Sequence, residues 1–570
     1  MASDTHKPDD IEPATTVHHE RTSISPPPKD IAARDADVAM ALFDSPEQIH
    51  EPLDPDEERK LVRKIDFMII PYLAVCYAFF YIDKTTLSYA AIFGIREDLN
   101  LQGADYNWLS SVFYFGFLFW AFPTNFLMQR LPIGKYLGAN IFFWGFFLML
   151  QAAAKSFGQL LALRFLAGAA EACSDPSFML ITSMWYTRKQ QPVRMGLWYT
   201  ANGFGIALGG LLGYAIGSIR GALPSWKYEF LIIGALCSTW GIVMFIFLPD
   251  SPVTAKGLSR TEKRMAVQRL RENQTGIENK HLKAYQVKEA FLDIKIYLFF
   301  VLGVVCNVPN GGISNFGTLI IQGFGFSQLG TTLLQIPYGI LIAISILVCV
   351  YLNNRFVNKR CMFILIFLLP NIAGAFGLRY IGTDQKAGRL IAYYLTGPYN
   401  AAFVMILSLQ TANTSGHTKK VVTNAVLFLG YCTGNVRLIP RAIVGPFFYL
   451  TSQAPYYALG IWSMIVSHLI EVLLIITFWI LLRRENKRRD KIQSAMEGGL
   501  EGRDLDTTAF ADMTDRENLN FRNESSPVWI AARDWSSQFY VGPAYSSLVS
   551  LNSLRDIPTF EEDQAPPTRR

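Results

Sequence analysis

Twelve apolar stretches of membrane-crossing length follow one another along this chain, and few folds can hold them. A bilayer core needs about 20 apolar residues per helix, because every backbone N–H and C=O must be satisfied there without water. Such stretches fall at 66–90, 106–126, 136–155, 159–184, 196–218 and 229–248, and again at 296–322, 329–352, 361–381, 389–411, 421–450 and 458–482. The composition, 51% hydrophobic and 17% charged, lies outside the range of soluble globular domains. The spacing predicts an all-α membrane protein of twelve transmembrane helices.

Cations set the expected orientation. Arg130 and Lys135, Arg188, Lys189 and Arg194, Arg355, Lys359 and Arg360, and Lys419 with Lys420 fall in alternate connections. Both termini join that set, through Arg59, Lys60, Arg63 and Lys64 before the first span and Arg483 to Arg489 after the last. An even number of spans with both ends cytosolic fits. Residues 249–295 are polar, and Ser259-Arg-Thr-Glu262 has the spacing of a capping box opening an amphipathic helix through about Glu272. The expected organisation is a disordered cytosolic tail (1–60), a six-helix half (61–250), a cytosolic loop (251–295), a second six-helix half (296–485) and a largely disordered cytosolic tail (486–570). A cationic turn recurs after the second and eighth spans, which suggests duplication with a binding site between halves.

The seven cysteines are scattered singly in apolar segments, with no Cys-x-x-Cys or Cys/His cluster. No metal or cofactor is expected. No hydrolase elbow or phosphate loop is present at convincing spacing, so an enzyme is not expected, nor is a nucleic-acid partner.

Charges inside spans carry the functional signal, because a charge at the membrane centre costs about 3 kcal/mol or more unless it is solvated or paired. In the fourth span Arg164, Glu171 and Asp175 are seven and eleven positions apart, on one face of a continuous helix. In the first span Asp83 and Lys84 are adjacent, so they point about 100° apart and need separate partners, which Arg164 and Glu171 could supply. A coherent site sets Lys84 and Arg164 toward an anionic substrate while Asp83 and Glu171 exchange protons. Arginine suits a carboxylate because its planar fork can donate two parallel hydrogen bonds. The bland reading of the same stripe is an ion pair locking two helices.

Polar residues add weaker candidates. Pro309-Asn310-Gly311-Gly312 and Asn315 interrupt the helical pattern of the seventh span and suggest a broken helix lining the pathway, with Asn310 and Asn315 offering amide contacts. The alternative is a kink without substrate contact. Asn435 and Tyr81 are further candidates for substrate contact. His468 and Glu471 in the twelfth span have the spacing to pair with each other.

Several stretches carry a family resemblance. They include Tyr81-Ile-Asp83-Lys84-Thr, the turn at 127–138, Arg164-Phe-Leu-Ala-Gly-Ala-Ala-Glu171-Ala, Leu248-Pro-Asp-Ser-Pro252 and Asn273-Gln-Thr-Gly276. Pro309 to Gly317, Asn413-Thr-Ser-Gly-His-Thr-Lys419 and Glu485-Asn-Lys-Arg-Arg-Asp490 complete the set. From about 60 to about 520 the chain resembles the major facilitator superfamily, and within it the anion:cation symporters of the fungal allantoate permease-like branch. The resemblance implies proton-coupled uptake of a small organic anion, such as allantoate, a ureido acid or a nicotinate-like vitamin acid. It also implies a monomer in the plasma membrane, with the span-one Asp and span-four Glu as proton-coupling pair and the span-four Arg as anion ligand. Two places depart from the pattern: Asp175 replaces an uncharged residue, and residues 437–443 separate Asn435 from Gly445-Pro446. That second departure motivates the alternative, a non-transporting sensor or inactive paralogue on the same fold.

Overall fold

A computed structural model describes residues 54–187, 190–271, 283–356, 359–435, 445–454, 456–494, 514–517 and 523. The N-terminal tail, Asn273-Gln-Thr-Gly276, residues 437–443 and most of the C-terminal tail lie outside them. Among the described residues the regular structure is helical throughout. Eight helical segments are long and apolar enough to cross a membrane. The other four spans are Asp105–Arg130, the pair Phe157–Glu171 and Ser174–Trp185, Gln191–Gly217, and His417–Asn435. Together they give twelve spans in two sets of six.

The first span, Pro55–Ile92, begins at a cap where the Asp54 side chain accepts from the Asp56 N–H, and three acidic residues in its first turn suit the positive end of the helix dipole. From Tyr77 to Ile92 it is buried on all sides, Asp83 included. Spans three and six (Ile133–Gln151 and Ser225–Phe247) brace this half from outside, meeting through facing glycines.

Two glycine contacts set the geometry that matters most. A Cβ on Gly168 of span four would sit 1.9 Å from the carbonyl oxygen of Phe113 in span two, so only a hydrogen fits there. This approach holds Arg164 over the Phe113 ring at 5.0 Å. Between the halves, a Cβ on Gly203 of span five would lie 2.3 Å from the Gly339 carbonyl of span eight. Gly168→Ala is expected to force spans two and four apart and to lower stability by about 1–3 kcal/mol. A thermal-unfolding shift checks it, with Gly158→Ala as control because nothing lies within 4 Å of a Cβ there.

Span seven departs from its expected break. Ile294–Gln322 is one helix that runs through Pro309. The side-chain amides of Asn307 and Asn315 donate to the carbonyls of Gly303 and Gly311, both at 2.8 Å, reinforcing the turns on either side of the proline. Its glycines serve packing, since a Cβ on Gly312 would meet the Tyr449 ring at 2.1 Å. Span eleven also differs from one apolar run over 421–450: its helix is described to Asn435, and Gly445–Phe448 is a short 3-10 turn.

The connecting helix Arg260–Arg271 opens as its spacing indicates. Ser259 Oγ accepts from the Glu262 N–H at 3.2 Å, and the Glu262 carboxylate accepts from the Ser259 N–H at 2.7 Å. Lys64 joins that carboxylate at 2.8 Å, and buried Arg269 reaches Glu58 at 2.9 Å, tying the linker to span one.

A short piece of the C-terminal tail docks on the second half. Asp515 is 1% exposed, receives Lys295 of span seven, and lies 2.7 Å from Lys419 of span eleven. Asn486 of span twelve and the backbone of Asn523 exchange hydrogen bonds, both at 3.0 Å. Burial works against the Asp515 carboxylate, but Lys295 and Lys419 outweigh it and hold its pKa at about 2. A depressed pKa means this docking is fully present above the ordinary carboxylate range near 3.9 and is lost as pH falls through about 2. Asp515→Asn removes the tail's own charge from this cluster, while Lys419 keeps Glu289 and Asp293, both at 2.9 Å, and Lys295 keeps Asp293 at 3.6 Å, so the loss falls on the docked tail. The tail is expected to become protease-sensitive at neutral pH; unchanged cleavage kinetics would contradict this docking.

Candidate functional site

Pro176 shapes the site. It lacks an N–H, and its ring clashes with the carbonyl four residues back, which is that of Ala172. Span four accordingly breaks after Glu171: the Ala172 N–H bonds back three residues to Ala169 at 3.3 Å, and a second helix starts at Ser174. The expected stripe of three charges is therefore not carried on one helix. Arg164 and Glu171 share the first piece, both buried, and Asp175 lies half-buried in the first turn of the second.

Asp83 and Lys84 diverge, as adjacent helical positions must. Asp83 points into the first half. Its Oδ1 lies 3.5 Å from Arg164 Nη1, and its Oδ2 accepts from the Trp144 indole N–H at 3.1 Å. Arg164 Nε donates to the Leu109 carbonyl at 3.5 Å. The Asp83–Arg164 contact is an ion pair without hydrogen-bond geometry, so one nitrogen of the guanidinium keeps a donor in hand.

Lys84 points the other way, to the seam between halves. Its ammonium donates to the Tyr431 hydroxyl of span eleven at 3.3 Å and stands 4.6 Å from the Tyr81 ring centroid. Glu171 is 6% exposed and its Oε2 has no hydrogen-bond partner among the described residues.

A cavity of about 20 Å³ lies at the seam, with Tyr81, Lys84, Ser314, Gln335, Tyr399 and Asn400 in its wall. That is room for about one water molecule, against the ~300 Å³ or more of a small-molecule pocket. Of the residues singled out in the sequence, Tyr81 and Lys84 reach this wall, while Arg164 sits behind it inside the first half. Asn310 accepts from the Tyr399 hydroxyl at 2.9 Å and donates to Asn435 at 3.4 Å, forming an amide cluster behind the wall. Asn315 bonds along its own helix, and its carbonyl accepts from the Tyr106 hydroxyl at 2.8 Å. Trp144, Tyr431 and Tyr399 were not legible as site residues, because an aromatic in an apolar span reads first as packing.

The halves are joined at the end away from where the chain enters span one. There Ser88 meets Thr318 at 2.5 Å, Tyr106 meets Asn315, and Asn107 Nδ2 donates to the Pro446 carbonyl at 2.5 Å. Nearer the middle, Asn202 bonds Asn400 at 3.1 Å. Twelve helices in two sets, with buried opposite charges and a small cavity where the sets meet, define a secondary-transporter architecture.

The chain belongs to the Major Facilitator Superfamily, whose model matches residues 73–436. An uncharacterized transporter of Schizosaccharomyces pombe is 37% identical over 86% of this chain and 90% of its own length. The allantoate permease of Saccharomyces cerevisiae is 34% identical over 88% of this chain and 92% of its own. Among solved structures, the partially occluded inward-open xylose transporter of E. coli superposes with a TM-score of 0.55 at 12% identity, covering 73% of this chain and 98% of that one. The relatives are transporters, so this is a multi-pass membrane transporter and not an enzyme.

Proposed function

We propose that this protein imports a small organic anion together with protons, by alternating access to the seam between its halves. The carrying observation is a cation in the wall of the seam cavity, Lys84, with a buried carboxyl oxygen that has no hydrogen-bond partner among the described residues, Glu171 Oε2, in the same six-helix half. Asp83, Lys84, Arg164 and Glu171 together sum to zero charge. One proton makes the group +1, and one monoanion restores zero, so proton and anion load as a neutral unit that can cross a low-dielectric barrier. Protonating Glu171 frees Lys84 to take the substrate carboxylate. Protonating Asp83 would release the Arg164 guanidinium in the same way.

With the Lys/Arg-rich connections and both termini in the cytosol, the joined end of the bundle faces outside, where protons enter in the alternate state. Tyr81, Asn310, Asn315 and Asn435 would shape the pocket once the halves rearrange. The protein is proposed to act as a monomer in the plasma membrane. A carboxylate such as allantoate, a ureido acid or a nicotinate-like vitamin acid suits one cation set among tyrosines and amides; the allantoate permease relative makes allantoate the first to try. The test is uptake of a labelled carboxylate panel in cells lacking their own carboxylate permeases, with and without a protonophore. Accumulation of one compound that the protonophore collapses is expected. No uptake despite surface expression would favour a sensor on the same fold.

A further inference from the structure

The second half carries a buried titratable group that the cycle above does not use. In span twelve His468 and Glu471, 1% and 2% exposed, face each other with Nδ1 and Oε2 3.3 Å apart. The other carboxylate oxygen, Oε1, accepts from the Cys306 thiol of span seven at 3.1 Å. His468 Nε2 is buried and has no hydrogen-bond partner among the described residues. A purely structural pair would be expected to satisfy both ring nitrogens, since an unmet buried polar atom costs about 1–3 kcal/mol. Here one nitrogen is engaged and the other is unmet among the described residues.

The cluster also touches the transport pathway. The Tyr399 ring packs on the His468 ring with centroids 6.3 Å apart, and Tyr399 lines the seam cavity. Its hydroxyl continues to Asn310 and so to Asn435 of span eleven. Among the described residues the surroundings hold no other charge. Span twelve has no other titratable residue between Ala458 and Leu482, and span nine carries its titratable side chains only at its ends, Arg360, Cys361, Arg379 and Tyr380. Span seven contributes Cys306 and span ten Tyr399. The 3-10 turn Gly445–Phe448 contributes none.

We infer that His468 and Glu471 form a second proton-binding site, in the half opposite Glu171, which loads and releases one proton per transport cycle. The proton goes onto Nε2, whose lone pair becomes an N–H bond, while Nδ1–H continues to face Glu471. The pair changes from imidazole with carboxylate, net −1, to imidazolium with carboxylate, net zero. The carboxylate stabilises the cation as it forms, and the reverse step returns the proton to the other side. This rests on the proton-coupled reading above and adds to it. Two protons with one monoanion move one net positive charge inward, so the membrane potential drives uptake as well as the pH gradient.

Two measurements test it, and the first needs no substrate. Potentiometric titration of the purified full-length protein is compared with that of His468→Gln over the pH range in which both stay folded. The wild type is expected to bind about one proton more. Coincident curves would mean a permanently neutral or permanently charged structural pair, and would overturn the proposal. The second measures accumulation of labelled allantoate, or of the monocarboxylate that the uptake panel identifies, in proteoliposomes with imposed potentials. Wild type should change its accumulation ratio tenfold per ~59 mV, the value for one charge. His468→Gln and Glu471→Gln should lose that response and keep tenfold accumulation per pH unit. Because the ratio does not depend on how much protein folds, a poorly expressed variant still reports. An electroneutral wild type, or variants with the wild-type response, would sink the second site alone, whereas a wild type indifferent to pH would sink proton coupling as a whole.

Discussion

Glu171→Gln is expected to remove this site's share of accumulation against the gradient, about tenfold per pH unit, while leaving exchange of internal for external substrate measurable. Glutamine keeps the size and hydrogen-bonding capacity of a protonated glutamate but binds no proton. In the wild type a proton on Glu171 removes one negative charge from the half that carries Lys84; in the variant that charge is permanently absent. Substrate then binds and crosses without proton exchange at this site. One pH unit is worth about 1.4 kcal/mol per proton, so losing the coupling removes about tenfold accumulation per unit of gradient from this site. Exchange needs only that the loaded protein reorients, and it persists. Normal pH-driven accumulation by the variant would remove Glu171 from the coupling role.

Lys84→Gln should instead lose binding. The ammonium is the cationic group in the cavity wall, with a tyrosine hydroxyl 3.3 Å away and a tyrosine ring below it. A hydrogen bond to a charged group contributes about 1.5–3 kcal/mol, so the half-saturation concentration should rise about ten- to a hundredfold. Arg164→Ala is also expected to lose binding, though by another route. Its guanidinium holds Asp83 inside the first half, so its removal leaves a buried carboxylate without its cation and lowers stability by about 3–5 kcal/mol as well. Asp83→Asn in the same chain should recover the stability without recovering affinity. Unchanged affinity in Lys84→Gln would place the anion site elsewhere, and full affinity in the Asp83→Asn/Arg164→Ala pair would confine Arg164 to a structural part.

The twelve spans and their two sets of six could be read from the chain because bilayer thickness imposes a length that apolar runs reveal directly. The capping box at Ser259 was equally readable, since its two bonds are three residues apart. Adjacent charges also declared themselves: Asp83 and Lys84 had to diverge, and they do, one to Arg164 and one to Tyr431. Interruptions were harder. Pro309 with two glycines reads as a broken helix, yet span seven is continuous and its glycines admit neighbouring rings. Pro176 carries the break that divides span four and separates Asp175 from the Arg164–Glu171 face. Whether a proline breaks a helix depends on what packs around it, which one-dimensional spacing does not contain. The partners Trp144, Tyr431 and Tyr399 come from other spans, 61, 347 and 89 positions from the groups they bond. Only the fold brings them together.

The most direct test of proton-coupled anion uptake is the pH inside proteoliposomes holding purified protein, recorded as substrate is added outside without any imposed gradient. Acidification of the lumen is expected to begin with substrate addition, to saturate with its concentration, and to fall in Glu171→Gln by the proton that this site carries, while labelled substrate still exchanges. Substrate entry with no change in lumenal pH in the wild type would contradict it.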